Sequence, residues 1–75
     1  MPGITLVFEA IDRYYTLMLS DDPAARRTFA ELQGWFASDD QLHPDAFERL
    51  CREYGIEPDA IRGMLERRLS AAGRA

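Results

Sequence analysis

Apolar residues recur along this chain at the three- and four-residue spacing that is typical of amphipathic helices, whereas no stretch alternates convincingly as a half-buried strand does. The pattern predicts four helical segments, at about residues 4–20, 23–37, 44–54 and 58–69. A chain of this length usually builds one hydrophobic core. We therefore expect a small all-α domain of four helices that forms a single unit over residues 1–75.

The first segment carries more apolar surface than two or three neighbouring helices can cover, because its polar positions form only one narrow stripe. We expect one face to enter the core and residues 4–20 to supply a dimerisation surface; packing under the C-terminal tail and simple exposure are the alternatives. The expected core face contains Ile4, Val7, Phe8, Ile11, Tyr15 and Met18. The expected interface contains Leu6, Leu17 and Leu19, together with Trp35 beside the core face of the second segment.

Proline, aspartate and glycine mark the ends of the segments. Asp22 is a suitable N-cap for a helix whose first residue is Pro23. We expect Pro44 and Pro58 to occupy the first helical position of the third and fourth segments, and Gly55 to end the third segment with a left-handed residue. Two apolar pairs are spaced as hydrophobic staples, which are Leu42 with Phe47 and Ile56 with Ile61.

The last two segments match the spacing of a helix-turn-helix, with Gly55 in the turn between them. Cys51 falls where the crossing of the two helices needs a small residue. Counted from Phe47 as the first residue of the motif, apolar residues fall at the other buried positions, which are Leu50, Tyr54, Ile56, Ile61 and Met64. The sequence therefore predicts a helix-turn-helix at about residues 44–69.

The helix-turn-helix spacing makes double-stranded DNA the leading candidate partner, although the overall charge argues against tight non-specific binding. The net charge is −4, but residues 1–48 hold three arginines against nine acidic residues, whereas residues 49–75 hold six arginines against four. In a helix-turn-helix the N-terminal part of the second helix reaches the base edges, and acidic side chains there can accept from cytosine. We therefore predict a small transcriptional regulator whose DNA contacts are Arg62, Arg67, Arg68, Arg52 and Asp59.

A second hypothesis is a non-enzymatic protein-interaction module that binds no nucleic acid. It rests on the acidic first two-thirds of the chain and on the surplus apolar surface of the first segment. The arginines would then pair locally, for example Glu48 with Arg52 or Glu66 with Arg62. An unbroken arginine face on the last helix favours DNA, whereas neutralisation of that face by glutamates favours a protein partner.

A longer motif resembles a group of short bacterial helix-turn-helix proteins, in which a Trp-containing helix precedes a Phe-Glu-x-x-Cys…Leu-Gly-Ile-Asp-Pro-x-x-Ile-Arg stretch. The resemblance covers a little over half of the chain. It implies a role linked to transcription and carries over no functional residues. Tyr54 replaces the usual Leu, and Glu57 replaces the common Asp. The matching residues are Trp35-Phe36, Phe47-Glu48-x-Leu50-Cys51 and Gly55-Ile56-Glu57-Pro58-Asp59-Ala60-Ile61-Arg62.

Other chemistry finds little support in the sequence. The single histidine, His43, has no serine or cysteine beside it to activate, and Cys51 lacks the partners of a metal site. We expect Cys51 to be a small core residue. The longest purely apolar run, Leu6-Val7-Phe8, is far shorter than the roughly 20 residues that span a bilayer. We therefore expect a cytoplasmic protein that is not an enzyme, with no metal, cofactor or small-molecule substrate.

Overall fold

The computed structural model describes residues 2–73 of the chain and contains four helices. No strand occurs among those residues. The predicted all-α fold is confirmed. In chain order the helices are α1 (Pro2–Leu17), α2 (Pro23–Ala37), α3 (Phe47–Glu53) and α4 (Pro58–Ala71).

The connection between α1 and α2 is built from local capping bonds. The first helix ends at Leu17 rather than at Ser20, because the Ser20 amide donates to the Leu17 carbonyl in a tighter turn. The Asp22 carboxylate then accepts from the Ala25 amide at 3.0 Å, and Pro23 is the first residue of α2. The predicted N-cap at Asp22 is therefore confirmed, and only the C-terminal end of α1 was placed too late.

The core is one cluster to which every helix contributes. The Tyr14 ring of α1 lies against two rings of α2, 4.7 Å from Phe29 and 5.9 Å from Phe36 between ring centroids. Aromatic pairs at these centroid distances stabilise a core beyond the area they bury. The buried cluster consists of Val7, Ala10, Tyr14, Met18, Phe29, Phe36, Phe47, Leu50, Cys51 and Leu65.

The buried face of α1 differs from the predicted one. Val7 and Met18 are buried as expected, but Phe8 is 60% exposed, and Ala10 and Tyr14 are buried although neither was assigned to the core face. Because apolar residues surround most of α1, helical spacing alone does not select the direction that faces the core. The aromatic side chains of α2 make that selection by contacting Tyr14.

The third helix begins at Phe47, so the prediction that Pro44 is its first residue was wrong. Pro44 lies in a turn that two side chains stabilise. The His43 Nδ1 atom accepts from the Asp45 amide at 3.1 Å, and the Trp35 indole donates to the Asp45 carbonyl at 3.0 Å. These bonds hold the chain in a turn where the sequence pattern alone indicates a helix.

The predicted staple between Leu42 and Phe47 is absent, since the Leu42 side chain is 87% exposed. Only the backbone of Leu42 is held, by a bond from Arg49 Nη1 to its carbonyl at 3.0 Å. Phe47 instead contacts aromatic rings, with its centroid 5.0 Å from that of Phe36 and 5.3 Å from that of Trp35. The apolar contacts of Phe47 are therefore with α2 and not with Leu42.

The turn between α3 and α4 is a Schellman motif. Gly55 has a φ angle of +70°, as the sequence predicts. The Ile56 amide donates to the Cys51 carbonyl at 2.8 Å, and the Gly55 amide donates to the Arg52 carbonyl at 3.4 Å. These bonds satisfy carbonyls that the end of α3 would otherwise leave without partners.

Replacing Gly55 with alanine is expected to lower the free energy of unfolding by about 1–2 kcal/mol, because a Cβ atom is strained at a left-handed residue. Gly34 is a matched control, since it lies inside α2 with open space around it. Gly34→Ala should raise stability by about 0.5–1 kcal/mol. Urea unfolding followed by circular dichroism measures both, and effects of the same sign would contradict the assignment.

Candidate nucleic-acid interface

The start of α4 is the segment that a DNA-reading helix-turn-helix would place against the bases. Pro58 is its first residue, as predicted, and the Glu57 carboxylate accepts from the Asp59 amide at 3.4 Å. Both Glu57 and Asp59 are exposed. The surface that would face a duplex first is therefore negatively charged.

Arg62, one of the predicted DNA contacts, extends from α4 toward the end of α2. Its Nε atom donates to the Phe36 carbonyl at 2.6 Å, and its Nη2 atom donates to the Ser38 carbonyl at 3.0 Å. A cation at the C-terminal end of a helix is favourable, because carbonyl groups there lack helical partners. Arg62 therefore joins α4 to the C-terminus of α2.

The same guanidinium forms two ion pairs. Its Nη2 atom lies 2.7 Å from Glu48 Oε2 on α3, and its Nη1 atom lies 3.1 Å from Asp59 Oδ1 on α4. The guanidinium carbon also lies 5.2 Å from the centroid of the Phe47 ring. Arg62 therefore contacts three of the four helices through charge, hydrogen bonds and an aromatic face.

These contacts balance the charge of Arg62 within the protein. The Arg62 side chain is only 22% exposed, and the Glu48 side chain only 18%. Burial lowers the pKa of Arg62, but hydrogen bonds to Glu48 and Asp59 and the charges of both carboxylates outweigh this effect and raise the pKa above its usual range. A contact between Arg62 and DNA would require several of these bonds to break.

The other predicted DNA contacts lie on the surface. Arg52, Arg67 and Arg68 are exposed, and none forms an ion pair within residues 2–73. The Arg68 guanidinium carbon lies 5.1 Å from the centroid of the Tyr15 ring. Glu48 pairs with Arg62 rather than with Arg52, and no Glu66–Arg62 pair is found in the described chain, so neither local pairing considered from the sequence forms.

Cys51 is fully buried behind this network, as predicted. Burial raises the pKa of its thiol, and the nearby charge of Arg62 only partly offsets that effect. A thiol held neutral and away from solvent is a poor nucleophile and a poor metal ligand. No group of three or more potential metal-ligating side chains occurs in the part of the chain that the structure describes.

A small cleft lies where α1, α2 and α4 meet. Its volume is about 340 Å³, and its lining combines apolar side chains such as Leu65 and Leu69 with polar ones such as Gln33. Burial raises the pKa of Tyr14 at this cleft, against the lowering effect of a hydrogen bond with Gln33. Arg62 also lines the cleft, but its donors are engaged by the bonds described above.

An open groove of about 600 Å³ follows α1 on the side of α2. Leu6 and Leu17, both assigned to an interface from the sequence, line this groove and are half-buried. Leu19 and Trp35, the other two expected interface residues, do not line it. Leu19 follows the end of α1 and is 57% exposed. Trp35 is half-buried, and its indole donates a hydrogen bond to the Asp45 carbonyl between α2 and α3.

The sequence did not assign the remaining side chains of this groove, which we call the α1–α2 groove. Ala10 and Leu32 add apolar surface to the two leucines. Polar side chains complete the lining, which are Glu9, Asp12, Arg13 and Thr16. Their recurrence at three- and four-residue spacing was visible as the polar stripe of α1, but the position of α2 beside that stripe was not.

Among residues 2–73, none of the helices combines the length and the apolar composition of a membrane span. The resemblance to short bacterial helix-turn-helix proteins stays a prediction. Comparison of the chain with protein-family models, with curated proteins and with solved structures finds no match.

Proposed function

We propose that this chain is a small, non-enzymatic protein-interaction module that uses the α1–α2 groove as its docking surface. The observation that carries the proposal is the engagement of Arg62 by Glu48 and Asp59. The sequence predicted a DNA contact at Arg62, and its pairing with Glu48 is part of the charge pattern that favours a protein partner. Arg67 and Arg68 on the same helix form no ion pair in the described chain.

The electrostatics of α4 support the same conclusion. Duplex binding depends on neutralising phosphates with positive side chains. Glu57 and Asp59 are exposed at the end of α4 that would approach a duplex, and the charge of Arg62 is balanced by two carboxylates. The N-terminal end of α4 would therefore repel the phosphate backbone of the duplex that it has to contact.

The α1–α2 groove has the features of a surface that docks a protein partner. Protein interfaces combine an apolar centre with a polar rim. Leu6, Leu17 and Leu32 supply apolar surface in the groove, and Glu9 and Arg13 supply exposed charges of both signs beside it. This combination suits a partner helix better than it suits a polyanion.

The second candidate is a DNA-binding regulator. The observation that favours it is that Arg52, Arg67 and Arg68 have no carboxylate partner in the described chain. Arginines of this kind contact phosphates and position a protein on a duplex without reading its sequence. This candidate therefore requires binding that depends on Arg67 and Arg68 and falls steeply with salt.

Fluorescence anisotropy of a labelled mixed-sequence duplex, measured at about 50 and 200 mM salt, separates the two candidates. We expect no binding at protein concentrations up to about 100 µM, which is the weak end of typical non-specific dissociation constants for DNA. Arg67→Gln with Arg68→Gln is the test variant, and Arg13→Gln with Arg27→Gln is the control with the same charge change. Micromolar binding that is lost only in the test variant would replace the proposal with the DNA-binding regulator.

A further inference from the structure

We infer that the cleft between α1, α2 and α4 binds a small organic cation, which has an apolar body and one ammonium group. The inference goes beyond the proposed function, because the described lining of this cleft shares no residue with the α1–α2 groove. It is carried by the chemistry of the lining, in which an apolar wall lies beside a carboxylate that has no cation of its own.

The wall of the cleft is apolar and comes from two helices. Phe36 and Ala37 belong to α2, and Leu65 and Leu69 belong to α4. Phe36 and Leu65 are buried, and Leu69 is half-buried. The cleft volume of about 340 Å³ lies at the small end of the range for ligand sites. The wall therefore suits the apolar body of a small compound and not a strongly hydrated ion.

Three polar side chains complete the lining, which are Tyr14, Gln33 and Glu66. Tyr14 is only 4% exposed, whereas Gln33 and Glu66 are exposed. Burial is the main cause of the raised pKa of Tyr14; a hydrogen bond with Gln33 lowers this pKa, and the charge of Glu66 raises it further. The three groups are therefore close enough to act on one another. Their oxygens are acceptors, which an ammonium group with three donors requires.

The charges of the lining favour a cation over an anion. Glu66 forms no ion pair within residues 2–73. Arg62 is the cation among the described lining residues, but Glu48 and Asp59 balance its charge. Its Nε atom and both Nη atoms already donate to groups of the protein. An anion would therefore meet a carboxylate and an engaged guanidinium, whereas an ammonium group would meet an unpaired carboxylate.

Chemical-shift titration of the isotope-labelled full chain tests this inference with three probes of similar shape. The probes are phenethylamine, which is a cation near neutral pH, the neutral phenethyl alcohol and the anionic phenylacetate. We expect the amine to bind with a dissociation constant on the order of 1 mM, as for a ligand of about nine non-hydrogen atoms at a modest efficiency per atom. The alcohol and the acid should bind at least threefold more weakly, because only the ammonium group pairs with Glu66.

Two pairs of variants locate the binding. Glu66→Gln should remove the preference for the amine over the alcohol, whereas Glu53→Gln removes the same charge at an exposed position of α3 outside the cleft and should retain it. Ala37→Phe places a ring in the cleft and should weaken the binding of all three probes. Ala24→Phe, at an exposed position of α2 outside the cleft, should not. Circular dichroism should show unchanged helix content in all four variants.

Three results would overturn the inference. They are an alcohol that binds the wild type as tightly as the amine does, a preference for the amine that survives in Glu66→Gln, and no binding of the amine at ten times the expected dissociation constant. None of them would affect the proposed use of the α1–α2 groove, because the two sites have separate linings. Duplex binding would likewise replace the proposed function without changing the result of the amine titration.

Discussion

Arg62→Met is expected to lower the free energy of unfolding by about 2–4 kcal/mol, as loss of one partner of a largely buried ion pair does. The substitution keeps much of the apolar stem but removes the cation that faces Glu48 and Asp59. It also leaves the Phe36 and Ser38 carbonyls at the end of α2 without their donors. Leaving Glu48 without its cation costs more than leaving Asp59 without it. The Glu48 side chain is only 18% exposed and can regain little water, whereas the Asp59 side chain is 82% exposed.

Urea unfolding followed by the fluorescence of Trp35 measures this effect. Arg67→Met is the matched control, because Arg67 is exposed on the same helix and forms no ion pair in the described residues. It should change stability by less than about 0.5 kcal/mol. Equal effects of the two substitutions would show that Arg62 does not hold the helices together.

A double-mutant cycle with Glu48→Gln isolates the ion pair from the other contacts of Arg62. The pair joins α3 and α4 at 2.7 Å, so the two substitutions should be non-additive by about 1 kcal/mol or more. Arg62→Lys should remain destabilising, because an ammonium group cannot present a planar fork of donors to four acceptors. Additive effects would assign the loss to the other contacts of Arg62, which are the two carbonyls at the end of α2, Asp59 and the Phe47 ring.

The parts of the fold that could be predicted from the sequence are those with local causes. Asp22 and Pro23 begin α2 as predicted, because a cap and an N-terminal proline act within one turn of helix. Gly55 ends α3 for an equally local reason, which is its left-handed backbone. The four helices could be predicted from the three- and four-residue spacing of apolar residues, which is also a local property of the chain.

The role of Arg62 could not be predicted, because its partners are distant in sequence. Its two carbonyl acceptors lie 26 and 24 residues earlier, at Phe36 and Ser38. The sequence suggested Glu66 as a neighbour one turn away, whereas the fold brings Glu48 from another helix. A mixed charge pattern on a helix therefore shows that pairing is available but does not identify the pairs.

The orientation of α1 was ambiguous for a different reason. Its apolar residues cover most of the helix circumference, so several rotations would bury a comparable surface. The packing of Tyr14 against α2 selects one of them, exposes Phe8 and leaves Leu6 and Leu17 at the groove. The surplus of apolar surface was predictable, but its direction depends on the neighbouring helix.

Phe47→Ala is expected to have the largest effect on stability, a loss of about 3–5 kcal/mol. Phe47 is fully buried, and its ring contacts those of Trp35 and Phe36 as well as the Arg62 guanidinium. Small domains have little stability to lose, so this substitution should leave the chain largely unfolded at 25 °C. The expected measurements are loss of helical circular dichroism and a red shift of Trp35 fluorescence.

The staple that the sequence pattern indicated supplies the control. If Phe47 were stabilised mainly by Leu42, Leu42→Ala would be comparably destabilising; because Leu42 is exposed, we expect a change of less than about 0.5 kcal/mol. Phe47→Leu retains an apolar side chain and should remain folded, which makes its loss of stability measurable by urea unfolding. A large effect of Leu42→Ala, or a negligible effect of both Phe47 substitutions, would contradict the aromatic anchor of α3. Because Arg62 lies against the same ring, that result would also weaken the network on which the proposed function depends.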